Sequence, residues 1–377
     1  MGKSSKDKRD AYYRLAKEQN WRARSAFKLI QIDEQFDLFS YADPSRCTRV
    51  VDLCAAPGSW SQVLSRILIK GESFGRRAWV EKLQRSQQPI RPRDDTLAAD
   101  VSELDLNPDT PVLKPRDNVK IVAIDLQPMA PLEGIIQLKA DITHPSTVPL
   151  LLRALDPEFD ENNETHRVDL VISDGAPDVT GLHDLDIYVQ SQLLHSALTL
   201  AMKVLRPGGK FVAKIFRGRN VDLIYAQLKL VFDRVHVAKP RSSRASSLEA
   251  FVVCEGFQPV KKWTPDIGDS FRIRDSPQAA LSKQTRQVRD DGIVELHFED
   301  EEDDHLPEKR WIAPFLACGD LSAWDADATY KLPEGHVSLP PVQPPTAPPY
   351  KEAIERRRAE GGAYGKTKDK SRLHQPS

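Results

Sequence analysis

Short apolar runs alternate with amphipathic stretches between residues 50 and 256 of this 377-residue chain. The first run ends in a turn of small residues at 55–59, and helical spacing of Trp60, Val63 and Leu64 follows it. The later runs that predict strands are residues 119–124, 134–140, 168–173, 210–216, 234–238 and 248–256. Because the strands alternate with helical segments, the pattern predicts a doubly wound α/β sheet.

The amphipathic segments predict the helices around this sheet. Residues 8–38, 146–155, 185–205 and 223–231 carry apolar side chains at helical spacing. The last two strands are joined by a loop, residues 239–247, that is too short for a helical crossover. We therefore expect those two strands to pair antiparallel.

Two segments depart from this pattern. Residues 70–118 lose periodicity and predict an insertion at the amino ends of the strands, opposite the crevice where such sheets bind ligands. Residues 258–377 are acidic, proline-rich and then basic, which predicts a mostly disordered tail. Apolar residues within 309–324 predict a local helix or a partner-binding segment. One domain, residues 1–257, should therefore carry the function.

Charge is segregated along the chain, although 54 basic side chains nearly balance 55 acidic ones. Residues 1–28 hold nine lysines and arginines and three acids. This basic arm favours a polyanionic partner such as nucleic acid, while a solvated basic helix is the alternative. The four cysteines lack the spacing of a zinc or redox site and read as buried free thiols. With no run of eighteen apolar residues, a cytosolic or nuclear protein without a metal site is expected.

The turn after the first strand is the predicted ligand site. Gly58 lets the backbone approach a ligand, and free amides at the following helix start favour a carboxylate or phosphate. Asp52 ends the first strand, and Asp125 and Asp141 follow the next two. Acids in these places are typical of a nucleoside-binding edge, although ordinary surface acids could also occupy them. The turn has a single glycine instead of Gly-x-Gly-x-x-Gly, which argues against a nicotinamide enzyme.

Lys214 interrupts the apolar fifth strand. A lysine in a strand that is buried on both faces costs free energy unless an acid pairs with it. The alternative is a side chain whose stem packs while its ammonium group reaches water.

Several motifs, in this order, resemble the FtsJ/RrmJ ribose 2′-O-methyltransferases, and among them the eukaryotic cytoplasmic tRNA enzymes that modify the anticodon loop. These motifs are RSAFKL at 24–29, DLCAAPGSWSQ at 52–62, DLQPM at 125–129, DGAPDVTG at 174–181 and SSLE at 246–249. The resemblance covers residues 5–256 apart from the insertion. It implies a Rossmann-like class I S-adenosylmethionine methyltransferase sheet with a terminal antiparallel strand.

The same resemblance implies roles for single residues. It assigns S-adenosylmethionine binding to Gly58, Trp60, Asp125, Asp141 and Asp174. It assigns catalysis to a tetrad, Lys28, Asp174, Lys214 and Glu249. Lys214 is the candidate base, which requires a lowered pKa. In the alternative, Lys214 stays charged and orients the ribose hydroxyl, and the proton leaves late.

The predicted activity is S-adenosylmethionine-dependent 2′-O-methylation of ribose in the tRNA anticodon loop, at the first loop nucleotide and the wobble nucleotide. A ribosomal RNA substrate and a catalytically silent RNA-binding scaffold are the alternatives. The basic arm would contact phosphates, which positions RNA without reading its sequence. The resemblance further implies a WD-repeat partner and a large helical-repeat partner that direct the choice of nucleotide, and a cytoplasmic location.

Overall fold

An eight-stranded sheet forms the centre of the computed structural model, which describes residues 10–87, 114–157, 167–177, 183–218, 221–259, 284–288, 294–298, 314–320 and 324–342. The strands of this sheet are β1 (Arg49–Leu53), β2 (Lys120–Asp125), β3 (Ile135–Lys139), β4 (Val168–Ser173), β5 (Leu205–Phe216), β6 (Phe232–Pro240), β7 (Glu249–Phe257) and β10 (Phe315–Cys318). Two further strands, β8 (Gln284–Val288) and β9 (Val294–Phe298), pair with each other in a separate two-stranded sheet.

The strand order is β10-β6-β7-β5-β4-β1-β2-β3. Only β7 runs antiparallel to its neighbours β5 and β6 in this sheet, and every other pairing in it is parallel. The predicted doubly wound sheet with a terminal antiparallel pair is therefore confirmed. Its order brings the ends of β4, β5 and β7 together on one side of β1.

Helices cover both faces of the sheet. They are α1 (Ala11–Glu18), α2 (Ala26–Phe36), α3 (Ser59–Leu64, extended by a π turn, Ser65–Ile69), α4 (Gly75–Gln87), α5 (Thr147–Leu155), α6 (His183–Val204) and α7 (Val221–Lys229). Asp10 begins α1, because its carboxylate accepts hydrogen bonds from the free amides of Tyr12 and Tyr13. No helix in the described ranges has the length and apolarity that crossing a bilayer requires.

The core consists of two apolar clusters, one on each face of the sheet. Val50 and Val51 are both fully buried but belong to different clusters, because successive strand residues point to opposite faces. One cluster packs against α5, α6 and α7, and the other against α1, α2 and α3. All four cysteines are free as expected, but Cys54 is only half-buried.

Two boundaries differ from the predicted ones. The insertion predicted at 70–118 begins with helix α4, whose arginine, glutamine and lysine side chains favour a helix without an apolar period. Strand β5 begins at Leu205 and includes Pro207, Gly208 and Gly209, although the pattern predicted a strand only from residue 210. Its pairing with β4 shifts register between Val168 and Leu170, which accommodates the irregular start. Residues 88–113 of the insertion lie outside the described part of the chain.

Of the two alternatives for 309–324, the local helix is wrong at Phe315–Cys318, which forms strand β10, and the partner-binding segment stays a prediction. This segment pairs with β6 because the edge of that strand offers unpaired amide and carbonyl groups. The amide of Val237 donates to the Pro314 carbonyl at 2.8 Å, and the amide of Arg241 donates to the Cys318 carbonyl at 2.8 Å. The predicted tail therefore adds a strand to the main sheet. The acidic run and the basic end of the tail lie outside the described residues.

Candidate active site

The loop between β1 and α3 forms one wall of the candidate site. Gly58 precedes α3 with a φ of 94°, a conformation that side chains other than glycine rarely adopt. A Cβ atom at this position would lie 2.7 Å from Nη1 of Arg22. The Arg22 guanidinium donates to the carbonyls of Pro57 (3.2 Å) and Pro131 (3.0 Å), so it joins the loops after β1 and β2.

Asp125 connects the ends of β1, β2 and β3, and Asp141 orders the turn that follows β3. Asp125 accepts hydrogen bonds from the amides of Ala56 at 2.8 Å and Gln127 at 2.7 Å. Its carbonyl accepts from the amide of Ala140, one residue before Asp141. Asp141 accepts from the amide and the hydroxyl of Thr143 at 2.8 and 2.7 Å. Both carboxylates remain partly exposed at the carboxyl edge of the sheet.

Asp52 lies beneath this edge and is fully buried. Its Oδ2 accepts a hydrogen bond from the Ser61 hydroxyl at 2.5 Å, while Oδ1 has no partner among the described residues. Burial is the largest effect and raises the pKa of this carboxyl to about 7, with Asp174 and Asp125 adding to the shift. An unpaired buried acceptor costs free energy, and a ligand N–H group would satisfy it.

Trp60 occupies a different environment from the other predicted cofactor residues. Its side chain is only 1% exposed and packs beside Phe251, with ring centroids 5.6 Å apart. Its indole N–H donates to the carbonyl of Ser25 at 2.8 Å. The Trp60 side chain therefore fixes the start of α2 to α3 and faces the core.

The four residues of the predicted tetrad meet at the carboxyl ends of β4 and β5 and the start of β7. Nζ of Lys214 lies 2.5 Å from Oδ1 of Asp174 and 3.5 Å from Oε2 of Glu249. Nζ of Lys28, which comes from α2, lies 2.7 Å from Oε1 of Glu249. Their side chains are between 8% and 18% exposed, so the group is largely desolvated but open on one side. Two ammonium groups thus alternate with two carboxylates.

This alternation sets the charge of the group. Burial, the largest effect, would lower the pKa of Lys214, but Asp174 and Glu249 together outweigh it and the pKa is raised. Burial would likewise raise the pKa of Glu249, but Lys28 and Lys214 hold it at about 2. Lys214 and Glu249 are therefore both ionised at neutral pH in this structure. The lowered pKa that a lysine base requires is not found here.

Three polar residues that the sequence did not single out support the tetrad. The Ser25 hydroxyl donates to Oδ2 of Asp174, and the Ser243 hydroxyl donates to Oε1 of Glu249 at 2.6 Å. Gln190 of α6 donates to the carbonyls of Gly175 (3.0 Å) and Lys214 (2.9 Å). Ser25 lies inside the motif at 24–29, and this position was the one feature of the sequence that could have indicated its role. Ser243 and Gln190 carry no such signal.

A doubly wound sheet with an antiparallel β7, a glycine turn after β1 and acids at the next strand ends defines an α/β enzyme of the class I methyltransferase type. Residues 21–257 match the FtsJ-like methyltransferase family, and the chain belongs to that family.

Three relatives align along nearly the whole chain. A "tRNA (cytidine(32)/guanosine(34)-2'-O)-methyltransferase" of Schizosaccharomyces pombe is 49% identical over 94% of this chain and 97% of its own length. The Homo sapiens protein of the same name is 44% identical over 95% of this chain and 86% of its own. A "tRNA (guanosine(34)-2'-O)-methyltransferase" of Drosophila melanogaster is 39% identical over 94% of this chain and 88% of its own.

Proposed function

We propose that this chain transfers a methyl group from S-adenosylmethionine to ribose 2′-hydroxyls of the tRNA anticodon loop, at the first loop nucleotide and the wobble nucleotide. The observation that carries the proposal is the alternating group of Lys28, Glu249, Lys214 and Asp174 beside the Gly58 loop. The names of the aligned relatives supply the substrate and the reaction.

The loops around Gly58 fit S-adenosylmethionine. The φ of 94° at Gly58 gives the turn that exposes the start of α3, and the unpaired Oδ1 of Asp52 can accept an N–H group. Asp125 and Asp141 would accept hydrogen bonds from the nucleoside, and Asp174 would adjoin the reacting end. Trp60 would contribute by holding this loop to α2 through its bond to Ser25. When bound, the cofactor supplies an electrophilic methyl group on a sulfonium.

The raised pKa of Lys214 favours the second of the two predicted roles. A charged Lys214 donates a hydrogen bond to the ribose oxygen and leaves another lone pair of that oxygen free to attack. As the oxygen bonded to the methyl carbon, the methyl–sulfur bond would break and a neutral thioether would leave, and the proton on the oxygen would become far more acidic than that of a free hydroxyl. A carboxylate such as Asp174, or water, can then take the proton. Lys28 and Glu249 keep the Lys214 ammonium in place.

The anticodon loop suits this site, because a ribose in a loop can be approached while its base is turned out of the stack. We further propose that a WD-repeat partner and a large helical-repeat partner present the tRNA and select the nucleotide, in the cytoplasm. The catalytic group itself contacts ribose and offers no way to distinguish two positions in one loop.

The test is mass-spectrometric mapping of ribose methylation in anticodon-loop fragments from cells with the protein, without it, and with Lys214→Ala. A lysine on the same strand, Lys210, provides the control Lys210→Ala, since its ammonium contacts the Asp37 carbonyl away from the tetrad. Loss of a methyl in the null and in Lys214→Ala, but not in Lys210→Ala, is expected. Unchanged tRNA in every strain would overturn the tRNA assignment and direct the same mapping to ribosomal RNA. Loss in the null alone would favour a scaffold.

A further inference from the structure

Residues 314–320 and 324–327, here called the C-terminal brace, lie against the loop that precedes Glu249. Pairing of β10 with β6 places Cys318 opposite Pro240, at the start of this loop. The Cys318 carbonyl accepts a hydrogen bond from the Arg241 amide at 2.8 Å. Farther along the loop, the Asp327 carboxylate accepts from the Ala245 amide at 2.6 Å. The brace therefore holds the loop at both of these points.

Gln31 of α2 connects the brace to the middle of the loop. Its side chain is buried, and its Oε1 accepts a hydrogen bond from the Ser242 amide at 2.9 Å. Its Nε2 donates to the Tyr12 hydroxyl at 3.2 Å, which itself donates to the Trp324 carbonyl of the brace at 2.8 Å. Gly319 of the brace approaches the same side chain, because a Cβ there would lie 2.8 Å from Cδ of Gln31.

The loop in turn sets the position of Glu249. The Ser243 hydroxyl donates to Oε1 of Glu249, next to the Ser242 amide that Gln31 holds. Lys239 donates to the carbonyls of Ser247 (2.6 Å) and Glu249 (3.2 Å). Gln31 also lies three residues after Lys28 on α2, so the two side chains project from the same helix face. The Lys28 ammonium pairs with Glu249, and the Gln31 side chain contacts the loop that precedes Glu249.

We propose that the C-terminal brace positions Glu249 for catalysis and that Gln31 is the positioning residue through which it acts. This inference rests on the proposed function, since it takes Glu249 as a member of the tetrad. Gln31 does not contact the reacting groups. It keeps residues 241–245 in the one arrangement in which Ser243 reaches the Glu249 carboxylate.

Two substitutions, one on α2 and one on the brace, break the connection between the brace and the loop that precedes Glu249. Gln31→Leu removes both hydrogen bonds with little change of volume, and Gly319→Ala places a methyl group where the Gln31 side chain lies. Each should lower kcat by about ten- to a hundredfold, because small displacements at a catalytic group have effects of this size. KM for tRNA and the calorimetric Kd for S-adenosylmethionine should stay within about twofold of the parent, since ground-state binding is unchanged. The double variant should be no slower than the slower single one, because both act on one link.

Two controls separate positioning from loss of stability. Thr199→Val removes a buried side-chain hydrogen bond, to the His195 carbonyl, in a helix remote from the loop. Gly335→Ala changes a glycine with a φ of 79°, where no atom of the described residues lies within 4 Å of the added Cβ. Both should keep the parent kcat even where they lower the melting temperature. Asp327→Ala removes the carboxylate that accepts from the Ala245 amide, at an exposed position where substitution should cost little stability.

Hydrogen–deuterium exchange of residues 241–249 supplies a readout that does not depend on activity. Exchange should rise in Gln31→Leu, Gly319→Ala and Asp327→Ala and not in the two controls. If these three variants keep the parent kcat, or if kcat falls equally in Thr199→Val, the positioning role is refuted. If the parent protein methylates no RNA, the proposed function fails. In that case, unchanged hydrogen–deuterium exchange of residues 241–249 in the variants would separately refute the claim that the brace holds this loop.

Discussion

The ammonium group of Lys28 and the carboxylate of Glu249 form a pair with separations of 2.7 and 2.8 Å to its two oxygens, although the residues come from opposite ends of the domain. Lys214 reaches the same carboxylate from the other side at 3.5 Å. Glu249 therefore lies between two ammonium groups, and the ammonium of Lys214 also pairs with Asp174. Removing either lysine changes the electrostatic environment of the other lysine and of Glu249.

Lys28→Met should lower methyl transfer by about a hundredfold, because the Glu249 carboxylate loses the partner that orients it. It should also raise the pKa of Glu249 from about 2 toward its ordinary 4.5. A lowered folded-state pKa stabilises the protein above the ordinary value, and this stability is lost as pH falls from about 4.5 to about 2. In urea unfolding over this range, the stability of the variant should depend less on pH than that of the parent, since of the two lysines only Lys214 still lowers the pKa of Glu249.

The matched control for that experiment is Lys70→Met. Lys70 pairs with Glu133 at 3.3 Å on the surface, where both side chains are largely exposed and the pair contributes little. It should leave both turnover and the acid-side dependence unchanged. If the stability of Lys28→Met fell between pH 4.5 and about pH 2 as steeply as that of the parent, Lys28 would not set the pKa of Glu249.

The pH dependence of kcat/KM distinguishes the two roles of Lys214. Its pKa is raised above the ordinary 10.5, so the ammonium keeps its proton at neutral and mildly alkaline pH. If it acts while charged, kcat/KM should be flat between about pH 7 and pH 9.5. A tenfold rise per pH unit through that range would instead identify a neutral lysine base. Single-turnover methyl transfer measured across the range decides between them.

Local pattern was enough to predict the turn at Gly58 and the strand that carries Lys214, since apolar period and small-residue turns are properties of neighbouring residues. Strand β10 could not be predicted in this way. Four residues at 315–318 have too short a pattern, and they become a strand only because the distant edge of β6 is free to pair.

Within the site, too, local motifs predicted some residues, while contacts between distant segments could not be predicted. Motifs placed Asp174 and Glu249 in the crevice, and the structure brings them to Lys214. They did not show that the Trp60 side chain is buried against Phe251, because burial depends on how α3 meets the sheet. The contact of Ser243 with Glu249 was also hidden, since a serine in a polar loop has no distinguishing pattern.

Asp52→Asn should stabilise the protein at neutral pH. The folded-state pKa of Asp52 is raised from 3.8 to about 7. The unfolded carboxyl therefore ionises first, and stability falls as pH rises from 3.8 toward 7. Asparagine carries no such penalty, so in urea unfolding its advantage over the parent should grow through this range and then stay constant. A constant difference at every pH would mean that Asp52 ionises normally.

Gly58→Ala should weaken S-adenosylmethionine binding without unfolding the protein. The alanine would suffer about 1–2 kcal/mol of strain from its positive φ. It would also push its methyl group against Arg22, which joins the loops after β1 and β2. We expect calorimetric affinity for the cofactor to fall about tenfold, since the Arg22 guanidinium must move and loosen its contacts with both loops. Gly335→Ala, with a similar φ and no described atom within 4 Å of the added Cβ, tests the strain alone and should leave affinity unchanged. Equal affinity in the two variants would place the cofactor away from the Gly58 loop.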